Sequence, residues 1–97
     1  MAIDRGLLAI LHAKPGKGDE LGTFLKQGRE LAVQEEGTVN WYAFRLDDTT
    51  YGIFDTFESE EAREAHLHGQ IPAALQEVGS DLLEASDIKP VDLLAVK

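Results

Sequence analysis

The stretch "TVNWYAFRLDDTTYGIFDTF", residues 38–57, decides the fold. Its two arms, 38–46 and 51–57, are rich in β-branched and aromatic residues. Asp47-Asp48-Thr49-Thr50 between them is turn chemistry. The stretch therefore reads as a β-hairpin, and a hairpin commits two strands to antiparallel pairing. The fold follows from what flanks it.

Upstream, Leu21, Phe24, Leu25, Gly28, Leu31 and Ala32 fall at helical spacing. Asp19 is the predicted cap of that helix and Gly37 its stop. Before it, "RGLLAILHAK" (5–14) is a compact apolar strand closed by Pro15-Gly16. Downstream, Ser59 caps a helix whose first turn carries Glu60 and Glu61, matching the positive end of the helix dipole. Gly69 and Pro72 break it, and a second helical piece turns Ile71, Leu75, Val78 and Leu82 inward. "IKPVDLLAVK" (88–97) is the predicted last strand, with Pro90 at an edge or a bulge. Strand, helix, strand, strand, helix, strand is the ferredoxin-like βαββαβ order of the α+β class. It specifies one domain over 1–97, a four-stranded antiparallel sheet with its helices on one face.

A sheet with one solvated face alternates apolar and polar residues. These strands do not. The first carries Leu7, Ala9 and Leu11 on one side and Leu8 and Ile10 on the other. The hairpin and the last strand repeat the pattern. The helices cover one face only, so the other is predicted to pack against the same face of a second copy, making a homodimer through sheet-to-sheet packing.

Composition narrows the partners. Nine Lys plus Arg against eighteen Asp plus Glu give a formal charge of -9, which disfavours nucleic acid and anionic membrane surfaces. Cysteine is absent, which removes disulfide and thiolate chemistry. The apolar run Leu7–Leu11 is too short for a signal peptide, and no stretch approaches a membrane span, so a cytoplasmic location is expected. No glycine-rich phosphate loop, nucleophile elbow, or flavin or nicotinamide motif is present.

His66 and His68, two apart on a helix, point about 200° away from each other and cannot chelate one ion together. No metal site is expected. His66 lies on the inward stripe Ala62, Ala65, His66, Gly69, where small neighbours leave room, and is the candidate general base or acid. It reads equally as a core histidine bonded to the backbone. His68 and His12 read as surface or structural residues. If the hairpin loop is even, Tyr42 faces Asp55 and Asn40 faces Phe57. Asn40, Tyr42, Asp55 and Phe57 would then form the polar points and wall of a substrate pocket with His66. An odd loop reverses the faces and puts Trp41 in their place. Arg45 with Asp47 and Asp48 reads as a solvated ion pair.

"LLAILHAKPGKGDEL", "EEGTVNWYAFRLDD" and "TYGIFDTFESEEAREAHLHGQIPAAL" together resemble the antibiotic biosynthesis monooxygenase family. The shared features are the "KPGK" turn, a glycine after the first helix, an aromatic-acidic end to the third strand, and Ala62-x-x-x-His66. The resemblance implies a dimeric α/β barrel with a pocket between helices and sheet. It also implies oxidation of a small phenolic or quinol-type aromatic by O₂ without metal, flavin or haem. A non-catalytic dimer that binds a small molecule in the same pocket is the other reading. Phe57 stands where many relatives have Trp. Haem-degrading relatives carry an Asn in the first strand and a Trp that aligns with His66 here, so haem degradation is not expected.

Overall fold

The computed structural model describes residues 3–97. Met1 and Ala2, the start of the stretch weighed as a signal peptide, lie outside them. The elements are β1 (Arg5–Ala13), α1 (Gly18–Val33), β2 (Thr38–Arg45), β3 (Thr50–Phe57), α2 (Glu60–Leu67), α3 (Gln70–Leu82) and β4 (Leu83–Asp92). The antiparallel sheet has the order β2-β3-β1-β4, as the ferredoxin-like reading requires. The apolar strands β1 and β3 are central.

One face of the sheet carries the helices. Leu7, Ala9, Leu11 and Ala13 of β1 and Tyr51, Ile53, Asp55 and Phe57 of β3 are buried at every second position. Against them α1 buries Leu21, Leu25, Gly28 and Ala32, a single stripe of the helix. Ile71, Leu75 and Leu82 of α3 complete the core.

Ser59 caps α2 as predicted, its Oγ accepting from the Ala62 N–H at 3.0 Å. Gly69 divides α2 from α3, and Pro72 falls in the first turn of α3, where a missing N–H costs nothing. Three expectations need correction. Asp19 lies inside the first turn of α1, whose N-cap is Lys17. The helix ends at Val33, and Gln34, Glu35 and Glu36 separate it from Gly37, so Gly37 is not its stop. The last strand spans 83–92 rather than 88–97, because it pairs along the length of β1, from Ala13↔Leu83 to Arg5↔Asp92. Pro90 is on this edge strand, where the N–H it lacks has no outer neighbour to serve.

The largest correction is the hairpin register. Trp41 pairs with Asp55, Tyr42 with Phe54, and Asn40 with Thr56. Between the paired residues Arg45 and Tyr51 lies an odd loop, 46–50. Asp47 organises it, its Oδ1 accepting from the backbone N–H of Thr49 at 3.0 Å and Thr50 at 2.8 Å. Asp47 thus caps the turn, and no ion pair joins it or Asp48 to Arg45 among the described residues. A shift of one residue moves every side chain of a strand to the opposite face. Trp41 therefore lies on the helix side with Asp55, while Asn40 and Tyr42 lie on the outer face.

Gly37 has a role other than the predicted one. A Cβ there would stand 2.5 Å from the Cβ of Ala62, so α2 approaches the entry to β2 too closely for any side chain. Gly37→Ala is expected to cost about 1–3 kcal/mol by overpacking. Gly22→Ala, whose Cβ would meet only the Tyr51 ring at 3.5 Å, is expected to be stabilising by about 0.4–1 kcal/mol. Urea denaturation of the two variants checks both signs.

Candidate functional site

The inward face of α2 buries a single residue, His66, at 6% exposure. A buried imidazole needs partners for both ring nitrogens. They come from two other parts of the chain. On one side Nδ1 lies 2.6 Å from Oε1 of Glu35, in the loop after α1. On the other, Nε2 lies 3.0 Å from Oδ2 of Asp55, on β3. Asp55 is 2% exposed, and this contact is bent away from the line of a well-formed hydrogen bond, so Oδ2 lacks an aligned donor. The fully buried Phe57 ring tilts against the imidazole with centroids 5.2 Å apart. His66 is thus a core histidine held by carboxylates rather than by backbone.

Two effects compete for its proton. Burial disfavours the imidazolium and is the largest single influence. The bonds and charges of Asp55 and Glu35 together outweigh it, and the imidazole binds its proton more tightly than an ordinary histidine. The two carboxylates sit on opposite ring nitrogens and do not converge on one point. Among the described residues no group of three or more His, Asp or Glu side chains is disposed to hold a metal ion.

The space around His66 is divided in two. Beyond Nδ1 is an open cleft of about 390 Å³, lined by Leu31, Glu35, Gly37, Ala62, Ala65 and Gly69. Beyond Nε2 is a narrow apolar cavity of about 20 Å³ that ends at Asp55 and is walled by Leu7, Ile53 and Ile71. That cavity shares Pro72, Leu75 and Ile88 with a groove of about 420 Å³ between α3 and β4. The groove explains why Ile88, on the helix side of the sheet, is 43% exposed.

The predicted site residues separate accordingly. His66, Asp55, Phe57 and Trp41 share the helix side. The Trp41 ring packs on Gly28 of α1, and its buried Nε1 has no acceptor. Asn40 is engaged by Thr56 on the outer face, with Oδ1 accepting from the Thr56 hydroxyl at 2.9 Å. Tyr42 is 57% exposed there, so neither belongs to a pocket with His66. His68 is solvated at 81% exposure, and His12 is exposed near the end of β1. Sequence reading missed Glu35. Its contact spans thirty-one residues, and "QEEG" carries no local sign of it.

The proton held on His66 couples to folding. The folded value is raised above the ordinary 6.5, so the native state binds more protons than the unfolded chain. The stabilisation is complete below the unfolded value and is lost as pH rises through the folded one. Denaturation midpoints are expected to fall as pH rises above about 6.5, and His66→Gln is expected to flatten that slope.

Comparison with known proteins agrees with this architecture. The model of the antibiotic biosynthesis monooxygenase family matches residues 6–78. A protein of unknown function from Nitrosomonas europaea is 42% identical, over 98% of this chain and 93% of its own, with a TM-score of 0.95. A Pseudomonas aeruginosa protein at 21% identity covers 98% of both chains with a TM-score of 0.83. A Mycobacterium tuberculosis protein at 15% identity covers 96% of this chain and 97% of its own with a TM-score of 0.81. The last two show the fold alone. No curated protein matches the chain. With most of its length matched by the family model, and with the sheet order that model's fold requires, this chain belongs to the antibiotic biosynthesis monooxygenase family.

Proposed function

We propose that this protein is a cofactor-independent monooxygenase that oxidises a small, neutral phenolic or quinol-type aromatic with O₂. The observation that carries the reading is the buried Asp55–His66 pair at the end of a narrow apolar cavity that shares Pro72, Leu75 and Ile88 with the α3–β4 groove. A groove of about 420 Å³ suits a one- or two-ring ligand. The cavity of about 20 Å³ does not admit a ring, so only the ligand's hydroxyl edge approaches the pair unless α3 yields. A hydroxyl both donates and accepts. It therefore offers what the buried Asp55 Oδ2 at the end of the cavity lacks, an aligned donor. The net charge of -9 disfavours anionic substrates.

In this reading the phenolic proton passes by way of Asp55 to His66. The phenolate gives one electron to O₂, and the phenoxyl radical and superoxide combine at an unsubstituted ortho or para carbon. The resulting peroxide takes a proton back from His66, loses the hydrogen on its carbon and expels water as the O–O bond breaks. The sum is phenol plus O₂ to quinone plus water, with all four electrons drawn from the substrate. Apolar walls exclude water from the radical pair. Phe57 holds the imidazole ring.

The outer face supports the dimer as a second part of the proposal. Leu8, Ile10, Phe44 and Phe54 are only half-buried there and Tyr42 is exposed, which is a contiguous apolar surface. Light scattering is expected to give twice the 10.7 kDa chain mass. Phe54→Glu is expected to shift the protein toward the monomer. A wild-type monomer at micromolar concentration overturns the dimer.

Oxygen uptake with a panel of hydroquinones and naphthols tests the chemistry. His66→Gln and Asp55→Asn are expected to lower turnover about 10²–10⁴-fold. Saturable quenching of Trp41 emission without oxygen uptake or product decides instead for a small-molecule-binding dimer. Among the described residues no helix is long and apolar enough to cross a membrane.

A further inference from the structure

Glu35 is held more firmly than a loop carboxylate needs to be. Its N–H donates to the Ala32 carbonyl at 3.1 Å, and its own carbonyl accepts from the Thr38 N–H at 3.3 Å. Its side chain is fixed as well. Oε1 accepts from the Thr38 hydroxyl at 2.7 Å and meets His66 Nδ1 at 2.6 Å. Oε2 rests beside Gly69, where a Cβ would stand 3.2 Å away. Two short contacts converge on one oxygen, and the other oxygen lies against a residue without a side chain.

This geometry sets the hydrogen on the imidazole. A carboxylate oxygen that already receives the Thr38 hydroxyl is an acceptor, so the group opposite it at 2.6 Å must donate. Nδ1 therefore carries a hydrogen. The contact on the other ring nitrogen is longer, at 3.0 Å, and bent. Of the two N–H groups of the imidazolium, the one at Nε2 is held less well.

We infer that Glu35 is a positioning residue: it pins the Nδ1 hydrogen of His66, so that the imidazole gains and loses its working proton only through Nε2, on the Asp55 side. The inference rests on the proposed reading of His66 as the base, and it adds a direction to it. The open cleft holds the fixed proton and the apolar cavity holds the mobile one. Without Glu35 the neutral imidazole is free to carry its hydrogen on Nε2, which leaves no lone pair facing the cavity. The groups around His66 reinforce this. Asp55 faces it from β3, Glu35 from the α1–β2 loop, and Glu36 lines the same cleft. Arg63 on its own helix is turned away to Glu60 and the Gly6 carbonyl. No cation competes for either carboxylate among the described contacts.

Nitrogen-15 NMR of the His66 ring across pH tests the inference without any substrate. In the wild type Nδ1 is expected to keep the shift of a protonated nitrogen throughout, while Nε2 moves to that of an unprotonated one. Glu35→Gln is expected to lower the midpoint by about one unit or more, through loss of a charge at hydrogen-bond distance. Glu35→Ala is expected to give a mixture of the two neutral forms. A wild-type titration in which Nδ1 loses its hydrogen, or a Glu35→Gln midpoint left unchanged, overturns the role. If an aromatic is turned over, Glu35→Gln is expected to lower kcat about tenfold with KM little changed and to move the acid limb of the rate profile with the NMR midpoint. Absence of turnover with the expected titration removes the oxygenase reading and leaves the positioning of His66 standing.

Discussion

A carboxylate almost sealed from water is the constraint on which this site depends. Asp55 is 2% exposed on a central strand, and an isolated buried charge of that kind costs several kcal/mol. The chain answers with a histidine from the helix that follows. The imidazole then needs a partner for its other nitrogen, and the loop after α1 supplies Glu35. Each burial thus recruits the next. Three segments far apart in sequence are tied together at the point where the helices meet the sheet. A stability origin alone would be served better by apolar side chains of the same volume, since such replacements are often neutral or stabilising. That balance favours a functional reading of the trio.

Packing makes the trio possible. Glu35 reaches His66 only because α2 lies close to the entry of β2, and that approach leaves no space for a side chain at Gly37 opposite Ala62. Gly69 does the same for the far side of the carboxylate. Small residues along α2 thus do not simply empty a pocket for a ligand. They let charged groups come within bonding distance, and they leave the cleft on the Glu35 side as a by-product.

Much of the fold was legible in the sequence because it rests on local signals. Pro15-Gly16, Ser59 and Gly69 mark ends that the structure keeps, and apolar periods in β1 and α1 name the buried residues. The site was legible only in part. His66 is found because it interrupts an apolar stripe with a titratable group. The partner of Asp55 across the hairpin was not fixed by composition. It depends on whether the loop is odd, and that is set by Asp47 accepting from two backbone N–H groups, a choice many Asp-rich turns share. One residue of register therefore exchanges Tyr42 for Trp41. Glu35 escapes for a different reason, since its meaning arises only when α2 folds back over the loop. The start of β4 was misplaced because "LEASD" has little strand character of its own and is drawn into the sheet by the length of β1.

The two faces of the sheet divide the labour. The outer face is apolar across β1, β2 and β3, carries Asp87 and Lys89 along the β4 edge, and Asn40 there spends its side chain on Thr56. It offers shape and area to another protein surface and no chemistry. The inner face concentrates the titratable groups at one point and surrounds them with aliphatic walls. Between them, β1 and β3 are apolar on both sides and so are shielded only when both faces are covered. Covering the outer face stiffens the very strands that carry Asp55 and Phe57. A site built on a central strand is held more closely than one on a loop, and the base proposed at His66, set across a bent 3.0 Å contact from Asp55, would need that rigidity more than further polar groups.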